Sequence, residues 1–558
     1  MGDPAAGDLD RISALPDDLL HLILTRVECA ISVTRTAVLS RRWRHVWVHA
    51  KNLKFDGRSC EDLLIKKSTA PDYLAGFVDW ALAQRGDDAG MESLHIRFPQ
   101  NSCASPSPEQ VNRWLRYAGR HVAGSLDLYV PGKTPAGEDV ELPGVGVPTH
   151  ISLYLPHRRL RLPPAAAAMY GALTELELLA VRFVGEEDPG ATLGDFVSSC
   201  CPRLRKLKIT APKGLHRLVL RAEELQELRL SSARDLQTLD AAAPNLRVVK
   251  LVSCFHNPSS GVVINHHKVA RIKAPRLEQI GMRNVPHRRP VLDVVHGLDG
   301  VRCVSDIVLD VHGKYYLDTD VGLWLLERCR GVQHVDVRLV HVVASGVNPG
   351  ELVDLTSEGA APFASVRSMK MTVTKTLDMD RQRVASISAL LTRCPRLRSL
   401  QVNIIFGGNT LLPFLGNQVD KCFCDDLDKW EYDGKIVLES LEEVKITDFT
   451  GAVEEMHLLR LLFESSNSIK RMALLPLKNK KNRLVFKEGG DAETILQELT
   501  KIPCADGGRW HVVTKTFVWM CNSEISGMQR SSSKGSALNW NVLYPGFSSH
   551  KCAYSTYD

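Results

Sequence analysis

The residues whose types and spacing could support chemistry are few and scattered. Cys200-Cys201 and Cys422-Cys424 are close pairs, but neither has a second Cys/His pair at the spacing of a tetrahedral zinc site. His266-His267 stands alone in an apparent loop. No phosphate-cradling glycine loop, no dinucleotide fingerprint and no H-E-x-x-H pair occurs in the 558 residues. The basic run Lys478-Asn479-Lys480-Lys481-Asn482-Arg483 is the composition of a solvated loop. These observations argue against an enzyme and point to no catalytic residue, cofactor or metal. They turn attention to surfaces that bind.

Composition narrows the partners. Apolar residues make up 44% and charged residues 24%, ordinary globular values, so most of the chain can bury a core. A net charge of +6 spread over 558 residues forms no clustered basic stripe, and no nucleic-acid partner is expected. The opening Met1-Gly2-Asp3-Pro4 lacks the order of a secretory signal. No apolar run approaches the ~20 residues that span a bilayer, so no membrane association is expected. The expected location is the cytoplasm and/or the nucleus, where the 14 cysteines stay reduced.

The sharpest local pattern lies near the N-terminus. Pro16 suits the first turn of a helix, and Asp17 and Asp18 suit the positive end of its dipole. Leu15, Leu19, Leu22 and Ile23 then follow as an amphipathic stripe. A second stripe runs through Val33, Ala37 and Val38, and a third through Leu39, Trp43, Val46 and Trp47. Three short helices cannot hide this many apolar side chains in one small core. Part of the apolar surface is therefore expected to dock on another protein's helices. Packing on the chain's own next domain would produce the same periodicity.

This segment resembles an F-box. The matching features are Leu15-Pro16, the Leu19/Ile23 stripe, Arg35-Thr36, Val38-Leu39-Ser40, Arg42-Trp43 and Val46-Trp47. The resemblance implies binding to an SKP1-like adaptor, and through it to a cullin, a RING subunit and a ubiquitin-conjugating enzyme. It implies Leu15, Pro16, Leu19, Ile23, Val38, Leu39 and Trp43 as the adaptor face. One departure is the segment Val27 to Ser32, where Cys29 stands in place of a helix-starting proline context. It leads us to expect a late start for the second helix.

Beyond residue 90 a short pattern recurs: apolar, two variable, apolar, one variable, apolar. Copies include Leu173-Leu176-Leu178, Leu204-Leu207-Ile209, Leu215-Leu218-Leu220, Leu225-Leu228-Leu230 and Leu246-Val249-Leu251. Leu204, Leu225 and Leu246 are spaced by 21 residues, within the range of about 20–29 typical of leucine-rich repeats. One repeat cannot bury its leucines alone, so parallel strands are expected to stack into a solenoid, with the variable positions facing outward. Cys201-Pro202-Arg203-Leu204, Ala243-Pro244-Asn245-Leu246, Ala274-Pro275-Arg276-Leu277 and Cys394-Pro395-Arg396-Leu397 precede four of the strands. The prolines are expected to end a convex-side helix and bias the chain into extended entry. These phrases resemble the repeats of plant F-box proteins, and residues 438–510 resemble the FBD unit at the C-terminus of many of them.

The expected fold is α/β: a small all-α three-helix F-box, an irregular leucine-rich-repeat solenoid with parallel strands, and a capping FBD unit. The expected boundaries are a disordered 1–9, an F-box over 10–56, a helical linker over 57–90, repeats over 91–435, the FBD-like cap over 436–512 and a disordered tail over 513–558. The resemblance implies a non-catalytic substrate receptor of an SKP1–cullin–F-box ubiquitin ligase, holding a protein target on the repeats between about 170 and 410. Such a receptor acts by proximity, and neither Cys29 nor Cys504 lies in a motif for a thioester. The alternatives are a scaffold acting without target turnover and a ligand-sensing interaction protein.

Overall fold

The computed structural model describes residues 15–57, 70–85, 90–100, 105–131, 139–156, 158–184, 192–255, 269–283, 291–294, 298–310, 322, 325–326, 328–340, 363–375, 387–388, 390–406, 436–479, 483–486, 491–503, 508–513 and 516–522. The expectations for residues 1–14, His266-His267, Cys422-Cys424, Cys504 and 523–558 lie outside them. The chain divides into two compact units, Met1–Asp354 and Leu355–Asp558.

The first unit opens with three short helices: α1 (Asp17–Val27), α2 (Ala30–Arg35) and α3 (Trp43–Val46). Pro16, in extended conformation, forms the N-cap of α1, and Asp17 and Asp18 fill its first turn. Glu28, at φ 54°, turns the chain out of α1. The Cys29 carbonyl accepts the Val33 N–H at 2.9 Å, so α2 starts directly at Ala30. The late start expected from the Cys29 departure does not occur, because a carbonyl can close the first helical turn whatever its side chain.

The strand Asn52–Asp56 follows, within the segment assigned to the helical module. It pairs in parallel with Met91–Arg97, so the sheet starts well before residue 91. From there a parallel ladder continues through Val122–Tyr129, His150–Tyr154, Glu175–Leu179, Lys206–Thr210, Glu227–Ser231, Val248–Val252, Gln279–Arg283, Cys303–Asp310 and His334–Val340. Equivalent positions lie side by side. Leu176, Leu207, Leu228, Val249 and Ile280 form one inward row, and each is 2% exposed or less.

Two details depart from the simple repeat. Leu215-Leu218-Leu220 is not a further copy in this ladder. Its strand, Arg217–Arg221, belongs to a second parallel sheet with Thr238–Ala242, Val269–Lys273 and Val291–Val294. The 21-residue repeats thus carry two strands each. Second, the Pro-bearing phrases are turns. The N–H of Leu204, Leu246, Leu277 and Leu397 donates at 3.1 Å to the carbonyl of Cys201, Ala243, Ala274 and Cys394 respectively. That places proline at the second position of a tight turn, where its fixed φ is already correct. A helical segment precedes the two Cys-Pro turns, but the strands Thr238–Ala242 and Val269–Lys273 precede the two Ala-Pro turns. The proline ends whichever element arrives.

The second unit holds the parallel strands Ser368–Lys375, Ser399–Phe406, Glu443–Phe449 and Arg471–Pro476. The helix Val453–Ser465 lies between the last two. It starts where Glu455 reaches back to accept the N–H groups of Thr450 and Gly451 at 2.7 and 2.9 Å. The tail expected from residue 513 is corrected for its first part. Thr516–Met520 is a strand, antiparallel to both Arg471–Pro476 and Arg509–Val513. Phe517, Val518 and Trp519 are all buried there, a gain that an unstructured segment would forgo.

Candidate functional site

The helical module sorts its apolar residues into two sets. Leu20, Leu24, Ile31, Val33, Trp43, Val46 and Trp47 are each 7% exposed or less. The ring of Trp47 stacks on Trp80 at 5.6 Å between centroids, and Trp80 stacks on Phe77. Through these rings the module packs on the helix Ala70–Gln84. Arg42 clamps α1 from outside, its Nη2 lying 2.6 Å from the Asp17 carboxylate.

The other set faces outward. Leu19, Leu22, Ile23 and Val27 form a second stripe on α1, exposed by 43, 56, 42 and 37%. Val38 and Leu39, in the turn between α2 and α3, are exposed by 83 and 63%. Of the seven residues singled out by the sequence, Leu19, Ile23, Val38 and Leu39 are therefore large apolar side chains in solvent. Pro16 is exposed at the N-cap and Leu15 is half-buried. Trp43, at 5% exposure, belongs to the module's own core. Leu22 and Val27 complete the exposed stripe and were absent from the adaptor set. Their spacing from Leu19 and Ile23 was the available signal.

A second surface lies on the outward side of the first unit's ladder. His95, Asp127 and Ser152 share one outward row, and Ser125, His150 and Glu175 share another. His95 Nδ1 lies 2.5 Å from the Asp127 carboxylate. His150 lies 3.7 Å from Asp127 and 3.4 Å from Glu175, which in turn meets Lys206 at 2.5 Å. Burial opposes the ionisation of Asp127, but the hydrogen bonds from His150 and His95 outweigh it and hold the carboxyl well below its usual range. The hydrogen bond to Asp127 raises His150, against a smaller desolvation effect. A third outward row sets Arg97, Tyr129 and Tyr154 in line. The tyrosine rings stack at 4.1 Å between centroids, and the Arg97 guanidinium sits 4.9 Å over Tyr129. Tyr129 and Tyr154 are half-buried and Arg97 is exposed, and tyrosine and arginine are residue types that anchor protein interfaces. The sequence placed the binding surface on the outward positions between about 170 and 410, so these three residues lie ahead of the expected stretch. Each of the three immediately follows a buried L-x-L-type pair, which was the usable signal.

Among the described residues no three His, Cys, Asp or Glu side chains converge as a metal site, and no helix is long and apolar enough to cross a membrane. Burial pushes the thiols of Cys254 and Cys394 up to about 12, which disfavours the reactive thiolate at these two positions.

The fold and surfaces together define a mixed α/β repeat protein with an exposed apolar helical stripe near its N-terminus. No family model matches the chain. It is similar to an Arabidopsis thaliana protein named as an F-box/FBD/LRR-repeat protein, 25% identical over 480 residues, which cover 84% of this chain and 89% of that one. An FBD-associated F-box protein of the same plant is 23% identical over 506 residues, covering 88% and 97%. F-box/LRR-repeat protein 25 is 26% identical over 249 residues, covering 43% of this chain and 85% of its own length. The chain is thus similar along most of its length to the F-box/FBD/LRR-repeat proteins of plants.

Proposed function

We propose that the chain is the substrate-receptor subunit of an SKP1–cullin–F-box ubiquitin ligase. The observation that carries this is the surplus apolar stripe of α1, together with the exposed Val38 and Leu39, left in solvent by a module that has its own buried core. In this reading α1 to α3 form the F-box, the exposed stripe receives an SKP1-like adaptor, and residues 436–521 form the FBD unit. The repeats hold a protein target on their outward strand face, centred on Arg97, Tyr129 and Tyr154. The chain would then work in the cytoplasm or nucleus without bond chemistry of its own, raising the concentration of target lysines near the charged conjugating enzyme.

The test is a binding titration of the full chain with a purified SKP1-like adaptor, beside a variant carrying Leu19→Ala, Val38→Ala and Leu39→Ala. Trp43 is left intact because its loss would damage the core. The wild type should bind, and the variant should lose tenfold or more while keeping its melting temperature. Equal binding by both overturns the assignment of the face. A folded wild type that does not bind overturns the receptor reading. Adaptor binding without cullin-dependent turnover of any repeat-bound protein would instead favour a scaffold.

A further inference from the structure

Arg158 is the one arginine of the described residues with no exposed surface, at 0%. It follows the strand His150–Tyr154 and has no carboxylate partner among the described residues. Its Nη2 donates to Ser105 Oγ at 2.5 Å and to the Pro106 carbonyl at 2.7 Å. Its Nε and Nη1 are buried and find no acceptor. Removing a guanidinium from water without a counter-charge is costly, since each buried donor without an acceptor has lost its hydrogen bonds to water. Burial pulls the group down only to about 10, so it stays charged at neutral pH.

The residues it touches are a substrate pattern for a modifying enzyme. Ser105 is half-buried and is followed by Pro106, then Ser107 and Pro108. Ser-Pro is the dipeptide that proline-directed kinases select. Ser107 is the N-cap of the helix Pro108–His121, where its Oγ accepts the Gln110 N–H at 3.2 Å. The Ser105 hydroxyl therefore lies against an unneutralised buried cation, two residues ahead of the N-cap of a 14-residue helix.

We propose that Ser105 is a phosphorylation site for a proline-directed serine kinase, and that Arg158 is its built-in receptor. The Ser105 hydroxyl oxygen attacks the γ-phosphorus of ATP, the bond to the bridging oxygen breaks, and ADP leaves. The hydroxyl proton passes to the kinase's base. The new dianion supplies acceptors for the free Nε and Nη1 groups and converts a lone buried charge into a charge-assisted pair. The phosphate then ties the start of the helix Pro108–His121 to the segment after His150–Tyr154, two repeats further along the ladder.

The experiment treats the full chain with a proline-directed kinase and Mg-ATP, maps the phosphate by peptide mass spectrometry and follows thermal unfolding. The phosphate is expected on Ser105, absent from Ser105→Ala and retained in Ser107→Ala. The modified protein should melt about 2–4 °C higher, and Arg158→Met should lose that gain. If Arg158→Met does not fold, a phosphorus NMR titration of the modified wild type decides. Its second ionisation should fall clearly below the ordinary value of about 6. Phosphate found only on Ser107, none at all, or an unchanged melting temperature with an ordinary titration overturns the proposal. A melting gain produced equally by free phosphate in Ser105→Ala would assign Arg158 to soluble anions instead.

Discussion

The helical module and the repeat ladder use leucine in opposite ways. In the ladder every leucine of the short motif faces inward: Leu225, Leu228 and Leu230 are each 0% exposed. In α1, Leu20 and Leu24 are equally buried, while Leu19, Leu22 and Ile23 stand in solvent. A strand offers one face to its core and one to water, and the ladder follows that division except where Lys250, Gly281 and Ser305 line up buried on the outward side. A helix with a single core needs a single stripe. Carrying two, α1 exposes more apolar surface than its own fold can use. The comparison teaches that the informative feature is the surplus relative to the core available, since apolar periodicity alone is common to both regions.

The largest expected effect tests the buried side of the module. Trp43→Ala should destabilise it by about 3–5 kcal/mol, read as lost hydrogen-exchange protection across α1 to α3. If protection survives, Trp43 is not a core residue and returns to the adaptor face. Next, Leu228→Ala removes a fully buried ladder residue and should cost about 2–5 kcal/mol, read as loss of exchange protection in Lys206–Thr210, Glu227–Ser231 and Val248–Val252. A loss confined to one strand would show that the repeats do not share a continuous core. Much smaller is the effect of Val38→Ala with Leu39→Ala, which should change stability by about 0.5 kcal/mol or less. A cost near that of Trp43→Ala would mean the turn packs against something in the free chain, and the surplus argument fails.

These contrasts also mark what could be read from the residues. The 21-residue spacing of Leu204, Leu225 and Leu246 is reproduced by the strand register, because each repeat places its leucines at the same ladder position. The N-terminal stripe was legible as apolar and helical. Its orientation was not, since Leu19 and Leu20 are adjacent and only the packing of α2 and α3 decides which one is covered. Trp43 looked like a contact residue for the same reason: burial in a core and burial against a partner ask for the same side chain. The second sheet was hidden because Leu218 and Leu220 repeat the pattern of the first. The ordered strand Thr516–Met520 was missed because its hairpin with Arg509–Val513 carries no repeat motif, and its second partner, Arg471–Pro476, lies far away in sequence. The Arg97–Tyr129–Tyr154 row emerges only from pairing between strands.

The effect expected at the charged row of the ladder is also small, and it depends on pH. His150 titrates above its ordinary value of about 6.5 because it faces Asp127, with Glu175 adding to the attraction. A raised histidine stabilises the fold fully below its unfolded value, and that contribution is lost as pH rises through the folded one. Asp127 is depressed, so its contribution holds above the ordinary carboxyl range and is lost only as pH falls through a much lower value. Both terms are therefore present in the mildly acid window between the two, and the histidine term alone fades toward alkaline pH. The pair is partly exposed, which limits it to the scale of surface ion pairs, about 1 kcal/mol or less. His150→Ala should accordingly melt below wild type by more at pH 5.5 than at pH 9, with the gap narrowing in 1 M salt as screening shortens the reach of the charges. A gap that is the same at both pH values would make His150 a packing residue. The contrast between an apolar helical face and an electrostatic strand face would then have to rest on Lys206 and Glu175 instead.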